Sequence, residues 1–123
     1  SANVTRDNAF NSPDGLAFDA EGLLWIQTDG DDSDAGDFAG QGNNQMLAAD
    51  PATGELRRFL YGPKGCEVTG IAWTPDQRTM FVNIQHPGGS WPKSQWPEIT
   101  GGGARPRSAT VVITKDDGGV IGT

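Results

Sequence analysis

Gly15-Leu16-Ala17-Phe18 returns 55 positions later as Gly70-Ile71-Ala72-Trp73. A turn follows each copy: Asp19-Ala20-Glu21-Gly22 after the first, Pro75-Asp76-Gln77-Arg78 after the second, which carries one extra residue. Trp25-Ile26-Gln27 then returns as Phe81-Val82-Asn83, at an offset of 56. Further on, Met46-Leu47-Ala48-Ala49-Asp50, with its turn to Gly54, matches Thr110-Val111-Val112-Ile113-Thr114 and its turn to Gly118, at an offset of 64. Each copy reads strand, hairpin, strand, longer loop, strand, hairpin, strand.

Working outward, the β-prone runs are 16–18, 23–28, 45–49, 55–60, 68–74, 79–84, 109–114 and a weak Val120-Ile121. The turns between them are built from Gly, Asp, Asn and Pro, which supply the φ values and local hydrogen bonds that hairpins require. No segment sustains the i, i+3, i+4, i+7 apolar pattern of a helix. The expected fold is all-β: two four-stranded antiparallel blade-like sheets, with repeats at about 11–61 and 65–122, forming a partial β-propeller. Two blades do not close a ring, so the chain reads as a terminal portion of a longer propeller. A small sandwich of two sheets is the alternative packing. The expected partners are accordingly the remaining blades of a longer chain, or further copies of this one pairing through exposed strand edges.

Composition removes several functions. The 123 residues hold 9 Lys and Arg against 16 Asp and Glu, a net charge of −7, which opposes a phosphate backbone and argues against nucleic acid as partner. The longest apolar stretch, Leu23-Leu24-Trp25-Ile26, falls far short of the roughly 20 residues of a membrane helix. A single cysteine forbids an intrachain disulfide. The acidity leaves cation binding open.

Two carboxylates stand at the entrances to the repeated strands. Asp14, in Asn11-Ser12-Pro13-Asp14-Gly15, lies one residue before its matched glycine; Glu67, in Cys66-Glu67-Val68-Thr69-Gly70, lies three before. In an extended chain, positions differing by two project to the same side, so both are expected to face a propeller axis where oxygen ligands converge on a hard cation. For Asp14 an ordinary Pro-Asp-Gly turn is the competing reading. The acidic run 29–37 fails the EF-hand test, because registers starting at Asp29 or Asp32 end on Gly40 or Asn43 instead of Glu, and it reads as a solvated surface loop. Cys66 reads as a soft ligand or a small buried hydrophobe, and His86 as a proton donor or a strand terminator. Lys64, Arg105 and Arg107 offer charge to a substrate anion, with surface solvation the default. The second long loop, 85–107, carries Trp91-Pro92, Trp96-Pro97 and Gly101-Gly102-Gly103. No Ser/His/Asp spacing and no phosphate-cradling glycine loop before a helix is present.

The stretches 11–19 and 22–30, Gly65-Cys66-Glu67-Val68-Thr69-Gly70, Thr79 through Gly88 with its Asn83-Ile84-Gln85-His86-Pro87-Gly88, and Pro106 through Thr114 resemble the PhoX-type alkaline phosphatase family. The last of these is similar to that family's extreme C-terminal stretch. The resemblance implies a propeller-borne phosphomonoesterase of bacteria, exported to the periplasm or beyond by a twin-arginine signal and using calcium with iron to act on a phosphate ester. It implies Glu67 and Asp14 as metal ligands. The family is several times longer, so the catalytic centre, most ligands and any signal are expected upstream of Ser1, and this segment alone is expected to hold no metal and to be inactive. Two other readings stay open: part of a calcium-dependent lactonase-like propeller, on Ser12-Pro13-Asp14-Gly15-Leu16, and a non-catalytic interaction module, on its exposed edges and Trp-Pro loop.

Overall fold

The computed structural model describes residues 3–5, 8–31, 33, 35–36, 39–89, 93–98 and 103–123. Seven strands run in order: β1 (Pro13–Phe18), β2 (Leu24–Thr28), β3 (Gln45–Ala49), β4 (Leu56–Tyr61), β5 (Glu67–Trp73), β6 (Thr79–Gln85) and β7 (Ala109–Thr114). They form two antiparallel sheets that do not close into a barrel, a four-stranded β1-β2-β3-β4 and a three-stranded β5-β6-β7. No helix of the described residues is long and apolar enough to cross a membrane.

The hairpins are local chemistry. Asp19 Oδ1 accepts from the N–H groups of Glu21 and Leu23, and Oδ2 accepts from Trp25 Nε1 at 2.8 Å, so one carboxylate shapes the turn and fixes a buried ring. Hydrogen bonds from Thr53, Thr74 and the Gly119 N–H hold the carboxyls of Asp50, Asp76 and Asp117, respectively, below the usual carboxylate range.

The repeated glycines mark a repeated irregularity. Between Pro13 and Leu16 the β1 ladder slips by one residue against β2, and between Thr69 and Ile71 the β5 ladder slips against β6. A Cβ on Gly15 would lie 2.6 Å from Gln27 Oε1, and one on Gly70 would lie 2.5 Å from Asn83 Nδ2. Each bulge therefore brings backbone under the amide of the matched residue on the next strand, which only glycine permits. Gly70 also sits at φ +59°.

The second sheet falls one strand short of the expected four. Val120-Ile121 is too brief to ladder. It lies in the closing turn, where Ile121 N donates to Gln77 O at 3.0 Å and its side chain enters the core. That core lies between the sheets: Trp25 and Met46 from the first meet Val68, Met80, Val82 and Ile84 from the second, with Cys66 and Ile121. Trp25 stands edge-on to Phe59 at 4.8 Å. A smaller cluster, Ile26, Leu47 and Leu56, occupies the other face of the first sheet beneath Phe10. The paired faces turn both sheets the same way up, so the starts of β1 and β5 and the ends of β2 and β6 share one rim.

Candidate metal centre

At that rim Asp29, Glu67 and His86 each offer a ligand atom, and the three atoms lie within 4.8 Å of one another. Asp29 follows the last residue of β2, pinned by its N–H to Ser12 O at 3.1 Å. Glu67 opens β5, and His86 follows the last residue of β6. They line or border a cleft of about 210 Å³ whose walls include Asp29, Asn44, Cys66, His86 and Lys93.

Glu67 is mostly covered, its side chain 12% exposed. Gln85 Nε2 donates to Glu67 Oε2 at 2.6 Å, and His86 Nε2 lies 3.5 Å from the same oxygen. His86 Nδ1 is 3.3 Å from Gly65 O. A carbonyl only accepts, so this contact requires the proton on Nδ1; in a neutral ring the lone pair is then on Nε2, the nitrogen facing Glu67. A backbone carbonyl behind an imidazole is the usual support of a metal-binding histidine.

His86 occupies φ +36°, where a side chain is disfavoured by about 1 kcal/mol. Its surroundings hold it there. His86 N donates to Ser108 Oγ at 2.9 Å, Gly88 N to Lys64 O at 2.7 Å, and Gly89 N to His86 O at 2.8 Å. A Cβ on Gly65 would lie 2.8 Å from the Gly88 carbonyl carbon, so two backbones cross here in direct contact.

Two adjacent asparagines build the floor. Asn43 Nδ2 donates to Gly62 O at 3.0 Å and to Pro63 O, while its Oδ1 accepts from Gly65 N at 3.1 Å, fixing the β4–β5 connection. Asn44 Oδ1 accepts from Thr28 Oγ1 at 2.9 Å and Gly30 N at 2.6 Å; its Nδ2 donates to Gly30 O at 3.1 Å and Cys66 O at 2.8 Å. It thus ties the residue after Asp29 to the residue before Glu67.

The other sequence candidates distribute as follows. Asp14 is exposed on β1 and is not in the three-donor group. Asp29, which sequence reading assigned to a solvated loop, is in it; Asp32, Asp34 and Asp37 lie outside the described residues, as do Trp91, Pro92, Gly101 and Gly102. Cys66 is buried, with Sγ 3.6 Å from Asn43 Nδ2, and burial pushes its thiol up to about 11. A thiol so far from ionising packs as a small hydrophobe. Arg107 pairs with Glu98 and its N–H donates to Trp96 O, folding that part of the second long loop back so that Trp96 packs on the core. Lys64 and Arg105 are exposed. Asn44 and Gln85 were not singled out from sequence; the signal for Asn44 is its place beside a strand start, and Gln85 stands within the Asn83-to-Gly88 stretch that carries the family resemblance.

Repeated antiparallel sheets with polar donors gathered on the connections at one rim define a class of protein that carries its chemistry on loops held by a rigid scaffold. The chain belongs to the alkaline phosphatase PhoX family, whose profile matches residues 1–88. Among solved structures it is similar to Pseudomonas fluorescens PhoX in complex with vanadate, a transition state analogue, at 62% sequence identity and a TM-score of 0.90. That match covers 99% of this chain and 21% of the Pseudomonas chain, so the present chain spans about a fifth of its neighbour's length. Comparison with curated proteins finds no match. The all-β reading and the family resemblance both hold, and the sheets are consistent with part of a propeller.

Proposed function

We propose that this chain forms part of a phosphomonoesterase in which Asp29, Glu67 and His86 supply one corner of a metal centre. The observation that carries the reading is the meeting of three donor side chains at the rim common to both sheets. The relative that takes vanadate, a phosphate-like oxyanion, supports phosphoryl chemistry.

Two carboxylates and an imidazole with an outward Nε2 suit iron; calcium takes 6–8 oxygens, more than this corner offers, and imidazole is a poor ligand for it. The donor set therefore fits the iron that the family resemblance implies, and calcium would draw its oxygens from other parts of a longer protein. Bound there, such ions supply stabilisation of charge on phosphoryl oxygens and activation of an oxygen nucleophile. The chain's own residues hold the donors ready: Gln85 orients Glu67, Gly65 O keeps the His86 proton on Nδ1, and Asn44 sets the spacing between the Asp29 and Glu67 segments. Lys93, on the cleft wall, brings positive charge toward an ester's phosphate. The reading places Asp14 second to Glu67, as a ligand recruited only with upstream sheets in place, and puts the protein in the periplasm or outside the cell.

Three donors are fewer than a coordination shell, so the 123 residues alone should bind such ions weakly and hydrolyse no ester. In a longer protein containing this segment, Glu67→Gln and His86→Ala should each lower nitrophenyl phosphate hydrolysis about 100-fold and reduce bound iron. Unchanged activity and iron content in both variants would refute the assignment. Lactone hydrolysis without phosphatase activity would put the protein in another enzyme class, and ester hydrolysis by the isolated chain would overturn its inactivity.

A further inference from the structure

His86 turns Nε2 toward Glu67, and its other nitrogen, Nδ1, meets Gly65 O at 3.3 Å. Gly65 belongs to a turn, Pro63 to Cys66, closed by Cys66 N donating to Pro63 O at 3.1 Å. It takes the third position of that turn at φ +68°, as a type II turn requires. A type I turn over the same four residues differs by a half-rotation of the central peptide, here Lys64–Gly65. Glycine in the third position permits both, so the turn sequence alone does not choose between them.

The Lys64–Gly65 peptide is clamped at both ends. Its N–H, on Gly65, donates to Asn43 Oδ1 at 3.1 Å, and its carbonyl, on Lys64, accepts from Gly88 N at 2.7 Å. Gly88 lies in the turn that His86 opens, which Gly89 N closes by donating to His86 O at 2.8 Å. The Asn43 amide has one orientation open to it, because its Nδ2 donates to the carbonyls of Gly62 and Pro63 and only its oxygen is left for Gly65 N. A half-rotation of the peptide would set the Lys64 carbonyl against that oxygen, acceptor against acceptor, and take it away from Gly88. Asn43 itself belongs to the first sheet's side of the cleft: it stands two residues before β3, and its own N–H donates to Tyr61 Oη at the end of β4.

We propose that Asn43 is a positioning residue for His86, acting through the Lys64–Gly65 peptide. The inference rests on the reading of His86 as a metal ligand and adds what holds that ligand in place. With Asn43 present, the peptide keeps the orientation that supports Gly88 from one end, while the Gly65 carbonyl beyond it keeps the imidazole proton on Nδ1 and the Nε2 lone pair toward Glu67. Without it, the turn is free to exchange its central peptide, Gly88 loses its acceptor, and the imidazole loses the carbonyl that fixes its proton and ring orientation. The two adjacent asparagines thus divide the rim between them: Asn44 spans the segments of Asp29 and Glu67, and Asn43 governs the third donor.

The test is the iron affinity of a longer protein containing this segment, measured by competition with a chelator, with urea unfolding followed on the same samples. Asn43→Ala should weaken iron binding about tenfold. In a protein that already carries His86→Ala, adding Asn43→Ala should cost no further iron affinity but should still lower the urea midpoint, because the turn is loosened in either background. That non-additivity separates action through His86 from general support of the fold. Should Asn43→Ala fail to fold, Asn43→Ser, which keeps a hydroxyl, takes its place and should show a loss that likewise vanishes without His86. Wild-type iron affinity in the folded Asn43 variant, while His86→Ala alone weakens binding, would overturn this inference and leave the metal-centre reading standing. A loss that persists in full in the His86→Ala protein would overturn it as well. Wild-type affinity in His86→Ala itself would remove the metal-centre reading and this inference together.

Discussion

Replacing Asn44 by alanine should separate the two halves of the rim that carries Asp29, Glu67 and His86. Asn44 is 6% exposed and uses its full capacity, two bonds accepted at Oδ1 and two donated from Nδ2. At about 1 kcal/mol net per bond, losing all four costs about 4 kcal/mol. The side chain also borders the cleft, where water can re-satisfy Gly30 N and O. Only the bonds to Thr28 Oγ1 and Cys66 O, both buried, then go unreplaced, which sets a lower figure of about 2 kcal/mol. The expected loss of about 2–4 kcal/mol is read by urea unfolding followed through tryptophan fluorescence, Trp25 being fully buried. With a slope of about 1–2 kcal/mol per molar urea, the midpoint should fall by at least about 1 M. Asn44→Asp keeps both acceptors but turns a carboxylate toward two carbonyls, so it should be less stable than Asn44→Ala at pH 7 and recover on acidification. A loss below about 0.5 kcal/mol for Asn44→Ala, or a wild-type midpoint for Asn44→Asp at pH 7, would refute the idea that this residue joins the segments.

Cys66 gives an alkaline signature. Its thiol ionises near its ordinary 9.0 when unfolded but is pushed up to about 11 when folded, so stability is full below pH 9 and falls from there to pH 11. The fall should be on the order of 2–3 kcal/mol relative to Cys66→Ala, measured by urea unfolding at several pH values; parallel pH profiles would contradict it. Gln85→Met removes the 2.6 Å bond to Glu67 and should lower metal affinity of a longer protein about tenfold, with the fold unchanged by circular dichroism. Gly70→Ala forces a side chain to φ +59° and against Asn83 Nδ2; thermal unfolding should report a loss of about 1–2 kcal/mol.

The strands were legible because their signals are local. The runs 45–49 and 109–114 coincide with β3 and β7, and the other five main runs differ from their strands by at most three residues. Asp19, Asp50 and Asp76 announce the hairpins that their own carboxylates then build. The eighth run failed because two apolar residues between glycines cannot form a ladder, whereas one of them can fill a core gap. The centre was half legible. Glu67 stood out as a charge opening an apolar strand, but Asp29 joins it only once two sheets pack, since the two lie 38 positions apart in the chain. Strand parity held Asp14 and Glu67 equivalent, yet neither bulged ladder keeps simple alternation along its whole length. Asn44 was silent, because a polar residue at a strand start has no distinctive pattern until its four partners surround it.

The sealed position of Cys66 bears on where such a protein can operate. Oxidising surroundings convert accessible thiolates into mixed disulfides or sulfenic acids. Here the lone sulfur lies beneath Gly62, where an added Cβ would come within 2.3 Å of it, and it keeps its proton up to about 11. Small oxidants and partner thiols therefore find no cysteine thiolate on the folded surface.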